Sequence, residues 1–134
     1  MKRINNKKGI TLVEVIVVLI IMAVLAGILV ASYTGYIDKA KNDAALVEAR
    51  AVYLAATTKY HELYATDATT DGELTATVNT DVEKLASVAT GSVLKVVVSK
   101  TDKKVTTIWY KASNNMYCVY NGTAWTVQTT APST

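Results

Sequence analysis

The sequence predicts an α+β fold in which a long N-terminal helix, its first half hydrophobic and projecting, packs through its second half on a four-stranded antiparallel sheet. Three observations carry that expectation. An almost unbroken apolar run opens the chain, and an apolar stripe of helical period follows it. The C-terminal part then reads as short β-rich runs separated by turn residues.

The apolar run fixes the first element. Between positions 10 and 31 only Thr11, Glu14 and Gly27 are not plainly apolar, and up to Ile37 the only charge is Glu14. Such a run exceeds the roughly 20 residues that a helix needs to cross a bilayer. Tyr33 and Tyr36 fall where that helix would leave the bilayer, a depth that suits amphipathic aromatics. Residues 10–37 are therefore read as a transmembrane helix. Residues 38–134, 97 in all, are enough to bury a small core of their own.

Charge is unevenly placed. Of 14 basic residues, Lys2, Arg3, Lys7 and Lys8 lie in the first nine positions; without them 10 basic residues face 11 acidic ones, a net of −1. The basic character belongs to this leader, so the net charge says little about partners and gives no support to nucleic-acid binding. A secretory signal would place its small cleavage residue after the apolar stretch. Here the small residue, Gly9, precedes it. Cleavage there keeps the helix in the mature chain. The leader's positive charge predicts that it faces the cytoplasm and that residue 38 onward faces outside.

From 38 to about 64 the apolar residues Leu46, Ala49, Tyr53, Ala56, Tyr60 and Leu63 recur at spacings of 3 and 4 with no Pro or Gly between them. That is one stripe on a helix, with Asp38, Lys41, Glu48, Lys59 and Glu62 mostly elsewhere. One helix of about 55 residues, roughly 80 Å long, follows. Residues 65–91 are rich in Thr, Asp and Gly and read as a loop. Within it Thr80-Asp-Val-Glu83 has capping-box form and predicts a short helix near 81–89. Strands are expected at 92–99, 104–112, 116–120 and 124–129, the last two joined through Asn121-Gly122, a strong hairpin signal. Short connections make this a meander over 92–129, one face on the helix stripe.

The most specific stretch is Lys7-Lys8-Gly9-Ile10-Thr11-Leu12-Val13-Glu14. A carboxylate one turn into a membrane helix costs about 3 kcal/mol when unpaired. Cutting after Gly9 would create a positive amine at Ile10, four residues from Glu14, able to pair within the chain or with the next copy. In a bundle of such helices a wrong register would leave a buried charge unpaired. The plainer reading of Glu14 is a tolerated polar residue that snorkels to the interface. Ala23, Gly27, Ala31 and Gly35 recur every four residues, a small-residue strip that suits close helix packing, although such residues are common in membrane helices.

This stretch resembles the cleavage and assembly signature of type IV prepilins, shared with the pseudopilins of type II secretion and competence systems. The resemblance is tight over 7–31 and architectural beyond. It implies that 1–9 is a prepilin leader, that a membrane peptidase cuts between Gly9 and Ile10, and that Ile10 is N-methylated. It also implies a filament-core helix over 10–37 and a globular head over 38–134, with Thr11, Glu14, Ala23, Gly27, Ala31 and Gly35 as assembly residues. Expected partners are further copies of the chain in a helical filament, the prepilin peptidase, the pilus assembly platform and, before assembly, the membrane. Expected roles are adhesion, twitching motility or biofilm formation. Ile10 departs from the family's usual Phe, and Ala31 stands where many pilins carry Pro.

Enzyme signatures are thin. His61 and Cys118 are the only residues of their kinds and stand 57 positions apart. A single cysteine excludes an intrachain disulfide and reads as a small core residue, while His61 reads as solvated. Asp67, Asp71, Glu73 and Asp81 form a loose acidic group whose spacing matches no calcium loop. No enzymatic activity, cofactor or metal is expected. Asn121-Gly-Thr123 fits a glycosylation acceptor, a pattern that turns also produce by chance. Lys95, Lys100, Lys103, Lys104 and Lys111 read as scattered over strand ends and turns rather than as a phosphate-binding stripe. Two rivals stay open: a pseudopilin of a secretion or DNA-uptake machine, and a single-span protein whose outer domain binds a ligand.

Overall fold

The computed structural model describes residues 9–66 and 71–133, with Ala31 and Ser32 described by backbone alone. The elements are α1 (Leu12–Ala65), β1 (Gly72–Glu73), α2 (Ala76–Ala86), β2 (Val93–Ser99), β3 (Lys104–Lys111), β4 (Tyr117–Tyr120) and β5 (Trp125–Gln128). Two compact units divide between Asp38 and Lys39. The helix α1 runs through the division.

In the N-terminal unit α1 is apolar on every side. Each large apolar side chain from Ile10 to Val30 is at least 45% exposed. The helix is long and apolar enough to cross a membrane. Its backbone pairs with itself, so what it lacks is a partner for its side chains.

In the C-terminal unit α1 becomes amphipathic. Ala45, Ala49, Val52, Ala56 and Tyr60 are fully buried and form one face. Small alanines let the sheet come close. Of the expected stripe, Ala49, Ala56 and Tyr60 sit in the core, whereas Leu46, Tyr53 and Leu63 are only half-buried. The Tyr60 hydroxyl donates to the Ser99 carbonyl at 3.3 Å, tying helix to sheet.

The sheet is antiparallel, in the order β1-β2-β3-β4-β5. It has five strands where four are expected. The added strand is short: Gly72 pairs with Val98 and Glu73 with Val97. Two residues carry no periodicity to read. They are held instead by the Lys95–Glu73 ion pair at 3.2 Å and by the Lys100 N–H donating to the Asp71 carboxylate. Bulges between Val93 and Lys95 and between Val97 and Val98 reset the alternation of β2. Val93, Val96 and Val98 thereby all reach the core beside Val105, Ile108, Tyr110 and Cys118.

The region 65–91 is not a plain loop. Besides β1 it holds α2, which begins five residues before the expected 81. Thr75 is its N-cap residue, with no side-chain cap bond. The Thr80–Glu83 pattern does not cap a helix: Thr80 lies inside α2, its hydroxyl donating to the Ala76 carbonyl at 3.1 Å. The Glu83 carboxylate is used elsewhere, accepting the Val93 N–H at 2.9 Å and satisfying a donor where β2 begins. Val82 is the buried contact of α2, while Leu85 is 55% exposed.

Glu48, expected on the polar side of the helix, is instead a clamp. Its carboxylate accepts from the Tyr110 hydroxyl at 2.8 Å, the Ser113 N–H at 3.0 Å and the Ser113 hydroxyl. Partial desolvation alone would push this carboxyl up; the donors from Ser113 and Tyr110 outweigh it and hold it below its ordinary 4.5. Burial first, and the Glu48 contact second, push the Tyr110 phenol up. Nearby, the Asn114 amide donates to the Lys41 carbonyl at 2.7 Å.

The β4–β5 connection is a four-residue loop rather than a two-residue turn, since Tyr120 pairs with Trp125. The Asn121 side-chain oxygen accepts the Thr123 and Ala124 N–H groups at 3.1 and 2.9 Å. That Asx arrangement closes the loop locally. Gly122 sits at φ 88°. A Cβ there would stand 3.2 Å from the Thr106 carbonyl oxygen.

Two outcomes follow from this packing. A Gly122→Ala substitution, strained in φ and pressed on backbone, should cost about 1–2 kcal/mol in denaturant unfolding. Glu48→Gln should cost a similar amount, about 1–2 kcal/mol, because it weakens charge-assisted bonds. A depressed folded-state pKa means that the clamp's contribution is present above the ordinary 4.5 and is lost as pH falls through the lower folded value. Acid titration monitored by near-UV circular dichroism should therefore show a smaller loss of stability below pH about 4.5 in Glu48→Gln than in the parent.

Candidate functional site

The start of α1 gathers the residues that the sequence singles out. Gly9 and Ile10 lie ahead of the helix and are exposed. Nothing stands within 4 Å of a Cβ built on Gly9. The peptide bond between them is open to a protease.

Thr11 then caps the helix. Its hydroxyl accepts the Glu14 N–H at 3.3 Å, and its carbonyl accepts the Val15 N–H at 3.2 Å. Thr11 and Glu14 thus occupy the N-cap and N3 positions, an arrangement legible in the Thr-x-x-Glu spacing but absent from the sequence expectations. Glu14 consequently sits in the first turn. There the unpaired N–H groups of the helix favour negative charge, typically by 0.3–1 kcal/mol at an exposed site. That offsets only part of the cost of a carboxylate in oil. Among the described residues Glu14 has no ion-pair partner. A cut after Gly9 would supply one within a turn of helix.

Further along, Ala23, Gly27 and Gly35 are exposed. A Cβ at either glycine would meet nothing within 4 Å. The backbone is therefore bare where a second helix would touch it. Ala31 continues the strip in backbone, but its side chain lies outside the described residues, as do the leader charges Lys2, Arg3, Lys7 and Lys8.

The other candidates take separate places. Cys118 is fully buried and donates to the Ala45 carbonyl at 3.5 Å. Burial first, and the charge of Glu48 second, push its thiol up to about 11. His61 is exposed on α1, its ring 5.7 Å from that of Tyr60. Asp71 accepts the Lys100 N–H, Glu73 pairs with Lys95, and Asp81 pairs with Lys59 at 3.5 Å, while Asp67 lies outside the described residues. The acidic group is thus divided among separate partners. Asn121 is exposed, but its oxygen is committed to the loop. Lys100 and Lys103 lie in the β2–β3 turn and Lys104 and Lys111 end β3, whereas Lys95 lies within β2.

The cap has a measurable signature. Thr11→Val removes the acceptor for the Glu14 N–H at a cost of about 1 kcal/mol. Amide exchange of Glu14 in detergent micelles should then speed up about fivefold, with the amides of the 39–65 segment unchanged.

Comparison with known proteins places this geometry. Residues 4–30 match the family model described as a prokaryotic N-terminal methylation motif. Among curated proteins and among solved structures no match is found. The motif implies processing by prepilin peptidase and association with the membrane. The head adds the α+β architecture of that class, a long N-terminal helix with an antiparallel sheet. With the methylation motif lying across an accessible Gly9–Ile10 bond and the apolar opening of α1, the chain is a type IV pilin-like, prepilin-type protein.

Proposed function

We propose that the protein is a structural, non-enzymatic subunit of a type IV pilus. The precursor sits in the cytoplasmic membrane with residues 38–134 outside. After removal of 1–9 and methylation of Ile10, its helix stacks with those of other copies into a surface fibre. An assembly platform in the membrane would drive that stacking. Glu14 carries this reading. It is a carboxylate in the first turn of an otherwise apolar helix, beside the bond whose cleavage makes an amine.

Two further features support polymerisation over simple anchoring. A lipid anchor does not need Gly27 and Gly35 bare on its surface, whereas helix packing uses such sites. On the head, Val47 and Leu54 are 66% and 67% exposed on the side of α1 turned away from Ala49, Val52 and Ala56. Two large apolar side chains thus meet solvent there, beside the exposed Asp43 and Arg50.

The decisive experiment compares fibres and membrane insertion in Glu14→Val. An unpaired buried amine costs about 3–5 kcal/mol, on the order of a hundredfold or more in subunit affinity. Fibres should disappear while membrane insertion is kept. Equal fibre yield from the variant would remove the basis of the proposal. Intact mass of the membrane-extracted protein should correspond to a chain beginning at N-methylated Ile10. A chain retaining Met1 has no α-amine at Ile10 to pair with Glu14, and the polymer reading then fails.

A further inference from the structure

Opposite the core, the head's part of α1 carries a second stripe. Asp43, Val47, Arg50 and Leu54 follow one another at spacings of 4, 3 and 4, so they share one face of the helix. All four are exposed, Val47 and Leu54 at 66% and 67%, whereas Ala45, Ala49 and Val52 on the other side are fully buried. Ala44 and Ala51, alongside the stripe, are exposed and small. Leu54 also borders an open groove of about 290 Å³ between α1 and α2, whose far bank holds Leu85, itself 55% exposed.

Spacings of 4 and 3 are those of a seam between helices, here with one charged and one apolar layer in each heptad. Asp43 and Arg50 stand one heptad apart, about 10 Å along the axis. Among the described residues neither has an ion-pair partner. Both charges are therefore left for a group from outside the head.

The stripe complements a displaced copy of itself. Two parallel copies in register would set Asp43 against Asp43 and Arg50 against Arg50, which repels. Displaced by seven residues, Arg50 of one copy meets Asp43 of the next, Leu54 meets Val47, and Ala51 meets Ala44. An antiparallel pair also matches the charges, but copies leaving one membrane point the same way. Such a pair also closes on itself, whereas the displaced pair stays open-ended. It leaves Asp43 of the first copy and Arg50 of the second for further copies. We propose that this stripe is a contact between copies of the chain, parallel and displaced by one heptad, with Arg50 of one paired to Asp43 of the next. The inference rests on the polymer reading and names the head surface through which the copies meet.

Cysteine cross-linking in isolated fibres tests the register, since Cys118, the single cysteine of the chain, is fully buried. A chain carrying both Val47→Cys and Leu54→Cys should form intermolecular disulfides on mild oxidation, and neither single variant should. Adding Arg50→Asp to the paired cysteines should lower the yield about fivefold, the scale on which an exposed ion pair acts. Further addition of Asp43→Arg, which restores the pair with its signs exchanged, should recover it. Should the paired cysteines block assembly, fibre yield carries the test: it should fall in Arg50→Asp and return in the Asp43→Arg, Arg50→Asp double variant. Cross-linking through Val47→Cys alone would mean an in-register or antiparallel contact and would overturn the proposal. So would fibres of the paired variant without cross-links, or indifference to Arg50→Asp. Absence of fibres from the parent chain would remove the polymer reading and this contact together, whereas fibres lacking the cross-link remove the contact alone.

Discussion

Everything in this molecule answers to one constraint: a helix apolar on all sides, with a single carboxylate near its start, must always have something around it. In water each large side chain from Ile10 to Val30 stands at least 45% exposed, far more apolar surface than a soluble domain tolerates. Lipid satisfies the side chains but not Glu14. A bundle of like helices satisfies both, provided that a positive group lies at the right height. The Gly9–Ile10 bond is placed to furnish that group, and Thr11 holds the first turn in shape around it.

The head meets the opposite demand, since it must fold in water around the far half of the same helix. It does so with small residues in α1 and large ones in the sheet. Ala45, Ala49 and Ala56 let β-strands approach, and Ile108, Tyr110 and the buried valines fill the space. Polar ties then fix the angle. Glu48 reaches the β3–β4 turn, Tyr60 reaches the end of β2, and Asn114 reaches back to Lys41. Charged groups close both ends of β2: Glu83 accepts the backbone N–H of Val93, and Asp71 accepts that of Lys100. These long-range bonds let a domain without a disulfide keep one register.

How much of this can be read in the sequence depends on what kind of signal each element leaves. The membrane-type run, the helix beyond it and the strands β2 to β5 leave periodic or compositional marks, and they stand where such marks predict. Two features leave none. β1 is two residues long and exists through pairing with Val97 and Val98. The role of Glu48 depends on Tyr110 and Ser113, more than 60 positions away, so a polar residue on a helix flank looks solvated. Glu83 shows the reverse error. Its spacing from Thr80 imitates a cap, but the strand edge ten residues on competes for its carboxylate and wins. At the candidate site, Gly9, Ile10 and Glu14 are legible because the motif is local. The cross-strand row of Lys95, Trp109, Val119 and Thr126 is not, because β-pairing assembles it from four strands.

On the filament reading, transfer from membrane to fibre poses a problem of driving force. Lipid tails are as apolar as the helix, so bringing helices together gains almost nothing from the hydrophobic effect itself. Two contributions are left. One is close contact at bare backbone, for which Gly27 and Gly35 are open. The other is Glu14, which is poorly served by lipid and well served by an amine. Under the filament reading the carboxylate is thus more than a register mark. Most of the helix is indifferent to the choice between lipid and neighbouring copies, and Glu14 is the group that distinguishes them. Its cost in the membrane is what makes the assembled state preferable. On that reading the cut must come first: with the leader in place Ile10 has no α-amine to offer Glu14, and the precursor would keep to the bilayer until processed.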